Sequence, residues 1–523
     1  MGIGELVDGA VSIFSPKRAI ARHLARQHYR KVRSNTYAAA RVTKSTGPWS
    51  PANVNVNSLI AASAPAIRAR VRQLVRDFPY FARAVNVLVD YTVGEGIQFQ
   101  SKVQRGGKLD HKKIVEIEDA ARRWMDEADY AGRLHFYEMM RLAKRQDCEA
   151  GEFIIIERED RRTKGRFLPY CLQMVESEWL TDAVTAAKPV RKDGSTRIEQ
   201  GVEIDSATGR PLYLHFVDPD AWGKTEAVPA DQVIHGFDVM RPSQVRGISP
   251  FAPGVLVADD LASLMDAELD ASKMAAKWLA LIKTPNPLDR QMGLGVTAGT
   301  NGEPIEELEN AIIEYLRPGE EVTLTSNPRP GTNFPPFVRL VLCMFSVTTG
   351  IPYELLSGDY QGMNYSTGRT IRNDFRKVLR PLWGRHIRQF CRPAINGFFD
   401  SAALHGKINM PGYFSDPQPW LRTEWQPPGM ESTDPLRESK ANIDDVSALH
   451  RSPQEIIQAR GRDPEEVLLE IKEFRELCDK YGLAPEQVST AVANNPAAVD
   501  DQRTNAALME IMDALDEIGA GQR

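Results

Sequence analysis

Apolar residues recur at helical spacing over residues 58–93, where Leu59, Ala62, Ile67, Val71, Leu74, Val85, Leu88 and Val89 mark one face. Pro79 breaks that run, and Gly94 and Gly96 end it. Helical spacing resumes over 111–149, with Ile114, Ile117, Ala121, Trp124 and Met125 together. The period then changes. GEFIIIERED (151–160), LPYCLQMV (168–175), IEQGVEI (198–204), LYLHFV (212–217) and QVIHGF (232–237) read as strands. DSATGRP (205–211) supplies turn residues between two of them, so an antiparallel sheet is predicted after a helical start.

Helix returns from Pro250 to Lys283. A region punctuated by Pro and Gly follows to about Pro336, with a short helix at 305–316 and a strand, EVTLT, at 321–325. An apolar helix spans Phe337 to Thr349 and stops at Gly350. Next comes a polar, glycine-bearing loop whose core is SGDYQGMNYSTGRT, 357–370. A long basic helix is predicted from about Thr367 to Phe399, kinked at Pro381 and Pro393 by their missing donors. The last ninety residues read as mostly helical, most clearly at 454–460 and 464–481. The fold class is α+β, and 523 residues are too many for one core, so several domains or lobes are expected.

Composition adds little to that picture: 42% hydrophobic and 26% charged residues suit a globular chain. The start, MGIGELVDGAVSIFSPKR, does not read as a secretory signal. The longest apolar stretch, Phe337 to Val347, falls short of the roughly 20 residues that span a bilayer, so no membrane partner is expected. Five scattered cysteines, at 148, 171, 343, 391 and 478, read as reduced core thiols.

Charge changes the picture more. The net value is −5, but no Asp or Glu occurs from Gly9 to Arg76, where thirteen Lys and Arg fall. From Glu424 onward, 21 acids face 10 bases. A basic arm on an acidic body fits either an anionic partner or a solvated, loosely ordered arm.

Enzyme signals fail on inspection. GKT at 223–225 lacks the glycine a phosphate loop needs at 218, where Asp218 stands, and EAVPADQV with Pro229 does not open a helix. No H-E-x-x-H and no Cys/His cluster at metal spacing occurs, so no metal or cofactor is expected. His135, His215, His235 and His386 read as core or edge residues. On the helix after Pro250, Asp259, Asp266 and Asp270 lie within about 40° of one another. Val257, Leu261, Leu264 and Met265 are expected opposite them, with Glu268 as a misplaced acid. A regular exposed stripe is a poor place to shift a carboxyl pKa for acid–base catalysis. On the later basic helix, Arg369, Arg372, Arg376 and Arg380 share a face, and Asp374 is the only acid from 369 to 399. Four aligned cations repel, so they call for a partner: acidic side chains of a neighbour, or phosphate.

The order of these parts resembles the phage portal proteins, in particular the lambda-type portal family. RDFPYFARAVNVLVDYTVGEGIQFQ (76–100), MRPSQVRGISPFAPGVLVADDLASLMDAELDASKMAAKWLALI (240–282) and TTGIPYELLSGDYQGMNYSTGRT (348–370) carry the likeness, which covers roughly 58–480. The resemblance implies a ring homo-oligomer, typically a dodecamer, at one capsid vertex of the virion, assembled in the bacterial host cytoplasm. Double-stranded DNA would pass through it non-specifically, with terminase large subunit, head-completion or connector protein, scaffold and major capsid protein as partners, and no catalysis of its own. In those terms 1–57 is a basic arm, 58–249 the wing, 250–284 and 337–350 two stem helices, and 285–336 an α/β clip. Residues 351–366 become a tunnel loop, 367–430 the long kinked wing helix and following segment, and 431–523 a helical crown. Gln361, Gly362, Met363, Asn364, Tyr365 and Ser366 are the expected DNA-facing residues. Asp259, Asp266 and Asp270 would line the channel or face a neighbouring stem, and the four arginines would meet a neighbouring subunit or DNA. The competing readings are a nucleic-acid-processing enzyme and a nucleic-acid- or membrane-associated scaffold; the first lacks a metal or phosphate constellation, and the second leaves 348–370 unexplained.

Overall fold

A computed structural model describes Lys17 and residues 51–481, apart from 52, 106–107, 181–193, 218–224, 278–280, 284–296, 299–303, 306–320, 324–330, 332, 430–434, 461 and 463. Most of the predicted basic arm, most of the clip with nearly all of its helix at 305–316, and much of the crown lie outside the described residues. The chain divides into two units, 1–59 and 60–523. The first is described only at Lys17, 51 and 53–59, where the chain enters a helix at Val56. The rest concerns the second.

Two helices, α1 (Val56–Asp77) and α2 (Pro79–Thr92), meet at the predicted break, with Pro79 opening the second. The helical stretch at 111–149 is two helices, α3 (His111–Met125) and α4 (Phe136–Ala150). Asp129 organises the turn between them: its carboxylate accepts from the backbone N–H groups of Ala131, Arg133 and Leu134. Asp110 caps α3, and His135 with Glu138 forms a capping box on α4. These polar caps sit where the apolar pattern alone runs on.

The strands form two main sheets rather than one. Strands β2 (Glu152–Glu159), β3 (Tyr170–Val175) and β8 (Val233–Phe237) make an antiparallel sheet with β2 central. Strands β4 (Thr196–Glu199), β5 (Val202–Asp205), β6 (Pro211–Val217) and β7 (Thr225–Pro229) make a meander. Residues 198–204, expected as one strand, are therefore a hairpin. Gln200 and Gly201 form its two-residue turn, with φ of 52° and 82°, the left-handed pair that matches strand twist. Thr225 opens a strand, not a helix, which agrees with rejecting GKT as a phosphate loop. A further pairing was not legible: β1 (Gln98–Ser101) runs against β9 (Thr423–Gln426), more than three hundred residues away.

Strand β2 explains the run FIII. Its side chains alternate between two cores: Phe153 and Ile155 join α3, α4 and the later helices, while Ile154 and Ile156 join side chains of the meander. Glu152 opens this strand fully buried. His235 Nε2 lies 3.0 Å from its Oε2, and Arg246, itself buried, donates to both oxygens. Arg246 also donates to the carbonyls of Ser177, Leu180 and Gln200, so every side of this charge is met.

A separate core holds the elements around the candidate site. Helix α2 contributes Phe81, whose ring lies 5.1 Å from Phe251 and 5.3 Å from Phe345. Helix α5 (Val255–Lys277) adds Val255, Ala258 and Leu261; α6 (Phe334–Thr349) adds Leu342 and Phe345; α8 (Tyr365–His386) adds Phe375, Leu379 and Trp383. Helix α5 ends at Lys277, short of the expected 284, and Leu281–Lys283 is instead a strand paired with Glu321–Thr323. Residues 321–323 thus form a strand where one was read from sequence, and Pro304–Ile305, expected to start a helix, pairs with Thr297–Ala298.

Candidate functional site

The polar loop lies between α6 and α8, and its backbone is more organised than its composition suggests. Gly350 ends α6 in the left-handed region, φ 70°, with its N–H on Ser346 O at 2.9 Å. A short helix, α7 (Tyr353–Ser357), then interrupts what was expected to be loop throughout, and Leu356 anchors it in the core. Gly358 ends α7 in the same way, φ 72°. The Asp359 carboxylate accepts from Gln361 N at 3.1 Å, while Asp359 N donates to Ser357 Oγ. Met363 N donates to Tyr360 O, closing a turn with Gly362 at φ 73°. The two glycines therefore form turns. No side-chain atom lies within 4 Å of a Cβ placed on either, so only φ demands glycine there.

Helix α8 begins two residues before the predicted start. Asn364 is its cap, with Oδ1 accepting from Thr367 N at 2.8 Å and from Thr367 Oγ1 at 2.9 Å. Tyr365 and Ser366 consequently sit in the first helical turn, not in the loop. The exposed tip is Tyr360, Gln361, Gly362 and Asn364, with Met363 half-buried near Gly368. No Lys or Arg occurs from 340 to 368, so the tip offers amides, hydroxyls and aromatic faces without a fixed cation.

Of the arginine stripe, Arg369 and Arg380 are exposed, while Arg372 and Arg376 are half-buried. Arg376 is the unusual one: its Nε is buried without a hydrogen-bond partner. Burial, and then the Arg380 and Arg451 guanidiniums, push its pKa down, with Glu438 opposing. Arg385, further along the same helix, turns inward and is bonded to Asp147 at 2.7 Å and Asp238 at 3.1 Å. The helix continues through Pro381. Its irregularity falls later, as a π-helical turn over Ile387–Cys391 ahead of Pro393, where the missing proline N–H removes a regular donor; α9 (Arg392–Leu404) follows, past the predicted end at 399. His386, just before that turn, is buried and stacked on Phe390, and burial drives its pKa down to about 3.

On α5, Asp259, Asp266 and Asp270 are all exposed, on one side, and Asp270 pairs with Lys273 on its own helix. The opposite face differs from expectation. Val255, Ala258 and Leu261 are buried and Val257 and Met265 partly so, but Leu264 is exposed. Glu268 is half-buried and engaged within the chain. Helix α6 carries a feature that sequence reading missed. Phe337, Leu340, Met344 and Val347, at spacings of three, four and three, are 49–84% exposed. The apolar pattern predicts the helix; which side is covered is a tertiary matter.

Among the described residues no group of three His, Cys, Asp or Glu could hold a metal ion, and no helix is long and apolar enough to cross a membrane. The model of the family "Phage portal protein, lambda family" matches residues 43–381, which include the polar loop and the arginine stripe. The chain is 25% identical to the probable portal protein of Halomonas phage phiHAP-1 over 90% of its length and 93% of that protein's. It is 21% identical to portal protein B of Escherichia phage lambda, over 84% of this chain and 88% of that one. Among solved structures, a chain in the neck of a native gene transfer agent particle computed with C12 symmetry overlaps with a TM-score of 0.42 at 14% identity, covering 78% of this chain and 98% of that one. With well over half of the chain matched by the family model, this protein belongs to the lambda family of phage portal proteins.

Proposed function

We propose that copies of this chain form a ring, a dodecamer, at one vertex of a phage capsid, and that double-stranded DNA enters and leaves through its channel. The observation that carries the ring is the apolar stripe Phe337, Leu340, Met344 and Val347 on α6, left exposed in the single chain. Such a contiguous face beside a packed core marks a contact surface. In a closed ring each copy covers its neighbour's.

The loop at 358–364 with the first turn of α8 is the DNA-facing element. A cation-free tip gives passing phosphates nothing to lodge on, because each fixed cation would add a salt-dependent phosphate contact. Gln361, Gly362, Met363, Asn364, Tyr365 and Ser366 touch DNA through amide, hydroxyl and ring groups instead. The role is a conduit rather than a catalyst. It fits a place in the virion, assembly in the bacterial host cytoplasm, and docking of terminase large subunit and head-completion protein, with major capsid protein and scaffold around the ring. Electron microscopy of the purified full chain tests the reading. Rings with a central hole are expected; a monomer that cuts DNA or turns over nucleotide would overturn it.

A further inference from the structure

Two charged stripes of this chain match in length and register. Asp259, Asp266 and Asp270 stand at offsets of zero, seven and eleven residues along α5. Arg369, Arg376 and Arg380 stand at the same offsets along α8, with Arg372 between the first two. At 1.5 Å rise per residue, both sets span about 16 Å, and both run straight along one helix face.

Among the described residues neither set of three forms ion pairs with another element, while Arg372 is engaged within the chain. Among the described residues Asp259 and Asp266 have no ion partner, and Asp270 has only the exposed Lys273 of its own helix. Among the described residues Arg369 and Arg380 have no carboxylate partner, and Arg376 keeps a buried Nε without an acceptor, with Arg380, Arg451 and Glu438 around it. Exposed like charges in a row repel, whereas the same charges facing an opposite row attract.

We propose that the acidic stripe of α5 on one copy lies parallel to the basic stripe of α8 on a second copy, pairing Asp259 with Arg369, Asp266 with Arg376 and Asp270 with Arg380. A ring of identical chains needs two different, complementary surfaces on each copy, since a head-to-tail contact joins unlike faces. One acidic and one basic stripe of equal spacing are such surfaces. Isolated exposed ion pairs contribute little stability. Matched rows act chiefly on register and rejection of misaligned partners. The apolar stripe of α6 supplies affinity, and the charged rows fix how copies align. The inference rests on the ring reading above.

The test is a charge swap on the full chain. R376E/R380E and D266R/D270R are made separately and together, each checked by circular dichroism and thermal melting for an intact fold. Assembly is followed by mass photometry and electron microscopy at low and high salt. Each reversal alone is expected to raise the protein concentration for half-assembly about tenfold or more, and the combined swap to restore it to within about threefold. Wild-type rings whose assembly neither reversal changes would overturn the pairing while leaving the ring reading intact. So would a combined swap that folds but does not restore assembly. If R376E/R380E keeps its rings but loses DNA, the basic stripe faces DNA and the pairing is wrong. A wild-type chain that forms no rings removes the underlying reading and the pairing with it.

Discussion

The guanidinium of Arg246 grips Glu152 through Nε at 3.0 and 2.8 Å, and both side chains are buried. Burial alone would raise the Glu152 pKa, but Arg246 and the hydrogen bond from His235 hold it well below the carboxylate range. Removing Arg246 strands a buried charge. Arg246→Met should therefore cost about 3–5 kcal/mol, read from urea unfolding at pH 7. A depressed native pKa means the contribution is present above the ordinary carboxylate pKa and is lost as pH falls through the native value. Glu152→Gln should accordingly flatten the acid limb of the stability curve.

Glu157 shifts the other way. Burial, assisted by Asp400 and Asp231 and opposed by the Tyr170 hydroxyl, raises its pKa from 4.5 to about 7. The unfolded chain releases this proton first, so stability falls as pH rises from 4.5 to about 7. Glu157→Gln should keep the Tyr170 contact and gain about 1–3 kcal/mol above pH 7, with no gain near pH 4. Unfolding midpoints across that range decide it.

Asn364 holds the first turn of α8. Asn364→Ala should lower stability by about 1 kcal/mol, whereas Asn364→Asp should retain the cap. Gly362→Ala should cost about 1 kcal/mol through its positive φ, with no clash. Thermal melts of the three variants separate cap from turn.

Deleting 360–363 removes the exposed tip and spares the cap. Ring assembly should persist while DNA packaging or retention falls in an in vitro packaging assay. Loss of rings would make the tip a packing element instead.

The α6 stripe is exposed in the single chain, so Leu340→Asp with Met344→Asp should change chain stability by no more than about 0.5 kcal/mol. Sedimentation should nevertheless show the rings gone.

Much of the site could be read in advance because its signals are local. Pro79, Gly350 and the apolar spacing of α2 and α6 act through φ, missing donors and helical period, none of which needs a distant partner. Where local chemistry was overlooked, reading failed: Gln200–Gly201 as a turn, and Asn364 three residues before Thr367 as a cap. Other features were never in the local pattern. The pairing of Gln98–Ser101 with Thr423–Gln426 depends on chain closure over long separation. The inward turn of Arg385 depends on Asp147 and Asp238 arriving from other elements.

Sequence alone determined most of the element types, the two charged stripes, the cation-free loop and the family likeness, because spacing and residue chemistry are properties of the chain itself. Only the tertiary structure decided which face of each helix is covered. It buried Leu342 and Phe345 while leaving Phe337, Leu340, Met344 and Val347 outside, and it left Asp259, Asp266, Asp270, Arg369 and Arg380 exposed while half-burying Arg372 and Arg376. Burial is a contest among all faces for a limited core, and that contest is settled by which elements meet.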